Sequence, residues 1–199
     1  MFSGLTVHKK SKQLPLMPPD ETREVKIPAC YYVATSIDGL IADANGGIDW
    51  LSPFFNTDYG FHPFMDSIDT VAMGRRTYDR LLNTSRKNPY EGKRFVVLSH
   101  TRSSGPHADL FWPGHLRGLM RRLEAMGSMS IWIVGGGSAA GAFLEAGLID
   151  EVRQFVMPLL LGSGTPIFGP LRRPVALHLK ESQSFPNGVL QLRYSPSCG

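Results

Sequence analysis

Cysteine is scarce in this 199-residue chain: Cys30 lies in an apolar run near one end and Cys198 in the tail at the other. Neither belongs to a Cys-x-x-Cys pair or a Cys/His spacing, which argues against a disulfide framework and a zinc site. The six histidines are unpaired by spacing as well, so no metal is expected. No stretch approaches the roughly 20 apolar residues that a membrane-spanning helix requires, and the first 26 residues lack an apolar run followed by a small-residue cleavage site. These absences predict a cytoplasmic protein without membrane contact. Charge is sparse too, at 19% Asp, Glu, Lys and Arg, and the net +4 comes from scattered cations rather than a block. That dispersal suits a small anionic ligand and speaks against nucleic acid as a partner. No Ser/His/Asp or Cys/His arrangement suggests a hydrolase, and there is no internal repeat or low-complexity tract.

With 42% hydrophobic residues the chain can bury a core as one domain. Residues 1 to 26 mix Lys, Pro, Ser and acids without periodicity and read as an arm outside the core, laid over a partner subunit; the domain runs from 27 to 199. From Ile27 onward, apolar runs of strand length alternate with helical patterns. IPACYYVAT is a strand, followed by a long Gly/Asp-rich loop to Trp50 and a helix from about Thr57 to Ile68 that contains Pro63. TVAM, RFVVLS and IWIV are buried strands, DLFW is a weak one, and RRTYDRLL, LRGLMRRLEAM and SAAGAFLEAG are helices, the last stopped at Gly147. DEVRQFVM is a strand, PLLLG another apolar one, and VALHLKESQSF with VLQLRYS forms a closing hairpin turned at Pro186, Asn187 and Gly188. The expected fold is α/β in three layers: a mostly parallel central sheet flanked by helices, with a C-terminal antiparallel hairpin.

Three turns carry the chemistry. IWIV runs into Gly135, Gly136 and Gly137 and then a helix, so backbone N–H groups and the helix dipole can meet a phosphate that a side chain would block. A plain tight turn packing helix on sheet would use the same glycines. GGGSAAG is not the G-x-G-x-x-G dinucleotide fingerprint. Gly74, Arg75, Arg76 and Thr77 repeat the strand, glycine, helix arrangement with two cations at a helix start, where they oppose the dipole unless an anion sits between them. Two solvated arginines on an exposed turn are the alternative. Past RFVVLS, the segment Ser99 to Arg102 offers a hydroxyl and a cation that could grip an additional phosphate. Turns after three parallel strands lie on one sheet edge, which is where open α/β folds bind ligands.

Two acids stand out. Asp38, in SIDGLIAD, follows the first strand, and Asp58 opens the expected first helix. Either serves as a turn or N-cap residue, or presents a carboxylate to the amide or amidine edge of a heterocycle near a C=N bond being reduced.

VATSIDGLIAD with Trp50, SIDTVAMGRRTYD, VVLSHT, IWIVGGGSAAGAFLEAGLIDEV and PLLLGSGTPIF, in this order from about Ile27 to Ser195, resemble the dihydrofolate reductase superfamily. The last segment tilts the likeness toward the branch containing the reductase domain of the bifunctional riboflavin-biosynthesis deaminase/reductase. The resemblance implies NADPH along the C-terminal edge of the sheet. On it, Gly74, Arg75, Arg76 and Thr77 match the motif holding the cofactor's phosphates; Leu98, Ser99 and Arg102 match the turn near the adenosine 2′-phosphate; Gly136, Gly137, Ser138 and Ala139 match the pyrophosphate-binding glycines. Ala34 and Ile41 match nicotinamide contacts, and Asp43 to Trp50 match a mobile loop that closes over the ring. Asp38, Trp50 and Asp58 are the candidate substrate-binding residues, with Asp58, at the position of the substrate acid counted back from GRRT, as the candidate catalytic one. Lys93 near the position of a folate-tail arginine, and His62 and Pro63 in place of apolar helix residues, point away from folate itself. The expectation is an NADPH-dependent reductase of a pterin-like or aminopyrimidine heterocycle, acting as a homodimer. The alternative is a non-catalytic nucleotide-binding regulator on the same fold.

Overall fold

The computed structural model describes residues 26–84 and 87–197. The expected arm, save Lys26, and Cys198 lie outside the described residues. Strands β1 (Ala29–Thr35), β3 (Thr70–Gly74), β4 (Arg94–Leu98), β5 (Leu110–Trp112) and β6 (Ile131–Gly135) are followed by β7 (Glu151–Val156), β9 (Leu177–Ser184) and β10 (Leu190–Pro196). They form one sheet in the order β5-β4-β3-β6-β1-β7-β10-β9. Every pair from β5 through β7 is parallel, whereas β10 runs antiparallel to both β7 and β9. β2 (Leu40–Asp43) pairs with β8 (Gly164–Pro166) as a separate antiparallel ribbon.

The central strands are apolar in unbroken runs because both of their faces are covered. Leu119, Met120 and Leu123 of α3 (Leu116–Ala125) and Ala140, Phe143 and Leu144 of α4 (Gly137–Glu145) join Tyr31, Ala72, Val96, Ile131 and Ile133 in one buried cluster. Their neighbours along the same strands, Val71, Met73, Phe95, Val97 and Trp132, face the other way, with Phe64 of α1 (Phe61–Ser67) and Tyr78 of α2 (Arg75–Thr84). Helices on both faces give the expected three layers. At the far edge β9 has no helix over it among the described residues and is exposed along nearly its whole length, which is why that strand reads LHLKESQS rather than as an apolar run. Cys30 packs at the N-terminal end of β1, where burial, and next the charge of Glu151, push its thiol up to about 12, so that it stays protonated and unreactive.

Three sequence expectations are corrected. The helix expected from about Thr57 begins at Phe61, after Gly60 at φ +81°, and ends at Ser67. Pro63 is tolerated because it sits in the first turn, where its missing N–H has no intrahelical acceptor in any case. The long loop to Trp50 contains β2 and leads into a 3-10 turn, Asp49–Phe54. PLLLG is not a strand: Leu160 is 69% exposed, the Leu159 carbonyl accepts from the Ile37 N–H at 2.9 Å, and the next N–H groups turn to a side chain. Among the described residues no helix is long and apolar enough to cross a membrane.

Phe143 is fully buried between α4 and the sheet. Phe143→Ala is expected to lower the unfolding free energy by about 3–5 kcal/mol, read as a reduced midpoint in urea at unchanged slope; a loss under about 1 kcal/mol would mean that this layer is not packed as described.

Candidate functional site

Because β4, β3 and β6 are adjacent and parallel, their C-terminal ends lie side by side on one edge of the sheet. No residue intervenes between β3, ending at Gly74, and α2, beginning at Arg75, so the first N–H groups of α2 open directly on that edge. β6 ends at Gly135, whose φ of +117° few residues other than glycine adopt; the Gly135–Gly136 peptide is cis, and α4 starts at Gly137. A Cβ on Gly136 would meet the Thr77 hydroxyl at 3.4 Å and the Ile41 δ-methyl at 3.9 Å. A Cβ on Gly74 would meet that of Ala139 at 3.7 Å. Five of the predicted residues, Ile41, Gly74, Thr77, Gly136 and Ala139, therefore lie close together on this edge. Gly137 serves packing instead: an added Cβ would collide with the Pro166 carbonyl oxygen, and its own carbonyl accepts from the Gly169 N–H at 2.8 Å. Ser138 stands exposed at the start of α4.

At the end of β4, Leu98 pairs with Gly74 on one side and Trp112 on the other. The buried Ser99 folds the following turn, its Oγ accepting from the N–H groups of Thr101 at 3.2 Å and Arg102 at 2.8 Å. The Arg102 guanidinium lies 5.0 Å over the Tyr78 ring and donates from Nε to the Ser104 carbonyl at 3.1 Å. Its Nη1 reaches Asp79 Oδ1 at 2.6 Å, while Arg75 Nη1 reaches Asp79 Oδ2 at 2.8 Å. One carboxylate thus joins the cations of two turns. Arg76 is exposed and has no partner among the described residues.

On the β1 side, Ala34, Trp50, Leu51, Phe54 and Tyr59 pack with Phe155, Met157 and Val189. The Trp50 indole nitrogen is buried without a hydrogen-bond partner among the described residues, leaving a donor whose burial costs about 1–3 kcal/mol until an acceptor meets it. The loop from Asp43 to Trp50 is tied down at its tip: Asp43 Oδ1 accepts from the N–H groups of Asn45 at 2.8 Å and Gly47 at 2.7 Å, and Arg80 donates to the Asn45 carbonyl at 2.6 Å.

The two candidate acids make separate, local attachments. Asp58 is exposed; it accepts from the Phe61 N–H at 2.8 Å and faces His62 Nδ1 at 3.3 Å, as a cap of α1. The Phe61 N–H is the main influence holding its carboxyl below the usual range, with His62 adding to it. Asp38 accepts from the N–H groups of Leu161 at 3.2 Å and Gly162 at 2.7 Å, anchoring the segment expected to be a strand. Its carboxyl is likewise held low, first by the Ser36 hydroxyl and then by those N–H groups.

A model of the RibD C-terminal domain matches residues 30–191. The uncharacterized protein YwjB of Bacillus subtilis (strain 168) is 36% identical over 166 residues, 82% of this chain and 94% of its own length. Among solved structures, a putative riboflavin biosynthesis protein from Shewanella sp. PV-4 superposes with a TM-score of 0.77 at 33% identity, covering 86% of this chain and 100% of that one. The diaminohydroxyphosphoribosylaminopyrimidine deaminase/5-amino-6-(5-phosphoribosylamino)uracil reductase of Thermotoga maritima shares the fold at 18% identity, with a TM-score of 0.66 over 86% of this chain and 57% of its own.

Sequence reasoning missed Asp79 and Arg80, although the i, i+4 spacing of Arg75 and Asp79 was a readable signal. It also missed the link from Asn187 to the Tyr59 hydroxyl at 2.5 Å, which had none, because 128 residues separate the pair. The Asp38 anchor has a pH consequence. A carboxyl whose folded pKa is depressed stabilises the structure above its unfolded value, about 3.9, and the contribution is lost as pH falls through the folded value. The protection factor of the Gly162 amide, its exchange relative to the free amide at the same pH, is expected to fall in the wild type as pH drops below about 3.9. In Asp38→Asn it is expected to be low at every pH; equal protection factors in the two proteins would dismiss the anchor.

Proposed function

The chain belongs to the RibD C-terminal domain family, and from that premise we propose that it is a reductase taking a hydride from NADPH to a small nitrogen heterocycle of the aminopyrimidine or pterin kind. The observation that carries this reading is the glycine edge at Gly136, the proposed cofactor cleft, where a bare backbone lies beside the Thr77 hydroxyl, the Ile41 methyl and the opening turns of two helices. Those features fit a dinucleotide. N–H groups at the starts of α2 and α4, with Thr77, Ser138 and Arg76, would hold the pyrophosphate. Arg75, Ser99 and Arg102 would take the 2′-phosphate, and Ala34 and Ile41 would contact the nicotinamide. The bound cofactor supplies the hydride; the protein binds, orients and excludes water.

The substrate half draws on the family and on the aminopyrimidine activity in the name of the Thermotoga protein. Trp50, a candidate substrate contact, sits at the rim of a buried aromatic cluster with Phe54, Tyr59 and Phe155, so its part in the proposal is to fix the loop that precedes it. One observation favours the second reading, nucleotide binding without turnover: Asp58, the candidate acid, is engaged as a helix cap.

Gly136→Val is expected to weaken NADPH binding more than about tenfold in a variant that still unfolds cooperatively, since its methyls would occupy the edge beside Thr77 and Ile41; unchanged affinity would remove the cleft from the proposal. NADPH oxidation should appear with at least one of dihydrofolate, a dihydropterin or the ribosylaminopyrimidine. Binding without turnover on all three would favour the regulator, and Asp58→Asn separates acid from cap: lost turnover at intact NADPH affinity would make it the acid, and unchanged turnover the cap. The same reading includes a homodimer, for which light scattering should give twice the 22.0 kDa of the chain.

A further inference from the structure

We propose that Asp79 is a specificity-determining residue of the cofactor cleft: a carboxylate built in between Arg75 and Arg102 that lowers the cleft's affinity for a 2′-phosphorylated adenosine. The inference rests on the NADPH reading and assigns a role to a side chain which that reading does not use.

Asp79 lies one helical turn beyond Arg75 on α2, and each of its oxygens takes one guanidinium: Oδ2 that of Arg75 at 2.8 Å, Oδ1 that of Arg102 at 2.6 Å. Two arginines from neighbouring strand ends converging on one anion is the arrangement a phosphate monoester requires. The anion already present is the protein's own.

Two effects of this carboxylate oppose each other. It orients the arginines, which favours phosphate, and it repels phosphate, which does not. Orientation is the smaller effect here. Arg102 keeps three attachments that do not involve Asp79: its N–H to Ser99 Oγ at 2.8 Å, its Nε to the Ser104 carbonyl at 3.1 Å, and its seat 5.0 Å over the Tyr78 ring. The groups involved are also partly open to solvent, at 45% for Arg75, 36% for Arg102 and 33% for Asp79, and ion pairs so exposed hold little. Repulsion is larger. A phosphate touching both guanidiniums comes within roughly 5 Å of the carboxylate, where each unit of its charge weakens binding about fourfold even at the dielectric of water. A phosphate monoester carries about −1.5 to −2, so the opposition amounts to about tenfold. The preference for NADPH over NADH is thereby held below what the two arginines alone would give.

The test is calorimetric titration of 2′,5′-ADP and 5′-AMP, which differ only in the 2′-phosphate, into wild type, Asp79→Asn, Asp79→Ser and Arg102→Ala. Melting temperatures verify that each variant is folded, and the two Asp79 variants guard against an effect peculiar to asparagine. The expected result is about tenfold tighter 2′,5′-ADP in both Asp79 variants with 5′-AMP unchanged, and weaker 2′,5′-ADP in Arg102→Ala. Unchanged or weaker 2′,5′-ADP in the Asp79 variants, with Arg102→Ala still losing it, would overturn the role of Asp79 and leave the cleft standing. No binding of either nucleotide to the wild type would overturn the proposal together with the cofactor reading.

Discussion

The site depends on a steric condition at one residue. Gly136 follows the end of β6, with the Thr77 hydroxyl of α2 and the Ile41 methyl of β2 each within 4 Å of where a side chain would begin. The parallel order β4-β3-β6 brings the three turns to one edge, and at Gly136 the missing side chain leaves the backbone bare there. Next to it, Gly137 shows the opposite use of the same residue, since its bare backbone lets the 166–169 segment pack against α4. Consecutive glycines, identical in sequence, thus divide between a bare edge at Gly136 and tight packing at Gly137.

Burial on both faces gives the central sheet its stiffness, and that matters for a site built on strand ends. Val71, Ala72 and Met73 of β3, and Phe95, Val96 and Val97 of β4, are all essentially inaccessible, so the positions of Gly74 and Leu98 follow from packing on two sides. The turns themselves are then held by short-range polar contacts: Ser99 in the β4 turn, Asp43 and Arg80 in the loop ahead of Trp50, Asp38 across to Gly162. Rigid strands with locally pinned loops place polar groups more accurately than loops alone.

Much of the fold was legible because both-face burial writes itself as unbroken apolar runs, and TVAM, RFVVLS and IWIV are such runs. The layers, the edge and the closing hairpin followed from them. What misled was composition without context. PLLLG is as apolar as a strand, yet Asp38, more than 120 residues earlier, captures its N–H groups and leaves Leu160 in solvent. The stretch before Phe61 reads as helix, but Gly60 in a left-handed conformation sets the start there. Of the site, the glycines and cations were legible because strand, glycine and helix N-terminus are local; the partners of those cations lie across turns and were not, apart from the i, i+4 pair on α2. Asp58 shows the limit of counting along the chain. Its spacing from GRRT suggested chemistry, while its surroundings supply a helix end to cap.

The acids around the edge make a common pattern. Asp38 holds a turn, Asp43 folds a loop, Asp58 caps α1 and Asp79 bridges two arginines, and each has backbone N–H groups or guanidiniums within hydrogen-bond distance. Contacts of that kind favour the ionised carboxylate, and for Asp38 and Asp58 they hold the carboxyl below the usual range. A carboxyl held in that direction is a poor proton donor at neutral pH, because a general acid works best with a pKa near the working pH. On the proposed reading, the chain's contribution to hydride transfer is therefore positional: bare glycine backbone beside the cofactor and fixed N–H groups for its phosphates. The acids that sequence inspection singles out hold backbone N–H groups in this structure, Asp38 that of Gly162 and Asp58 that of Phe61, and so fix the loops on either side of the edge.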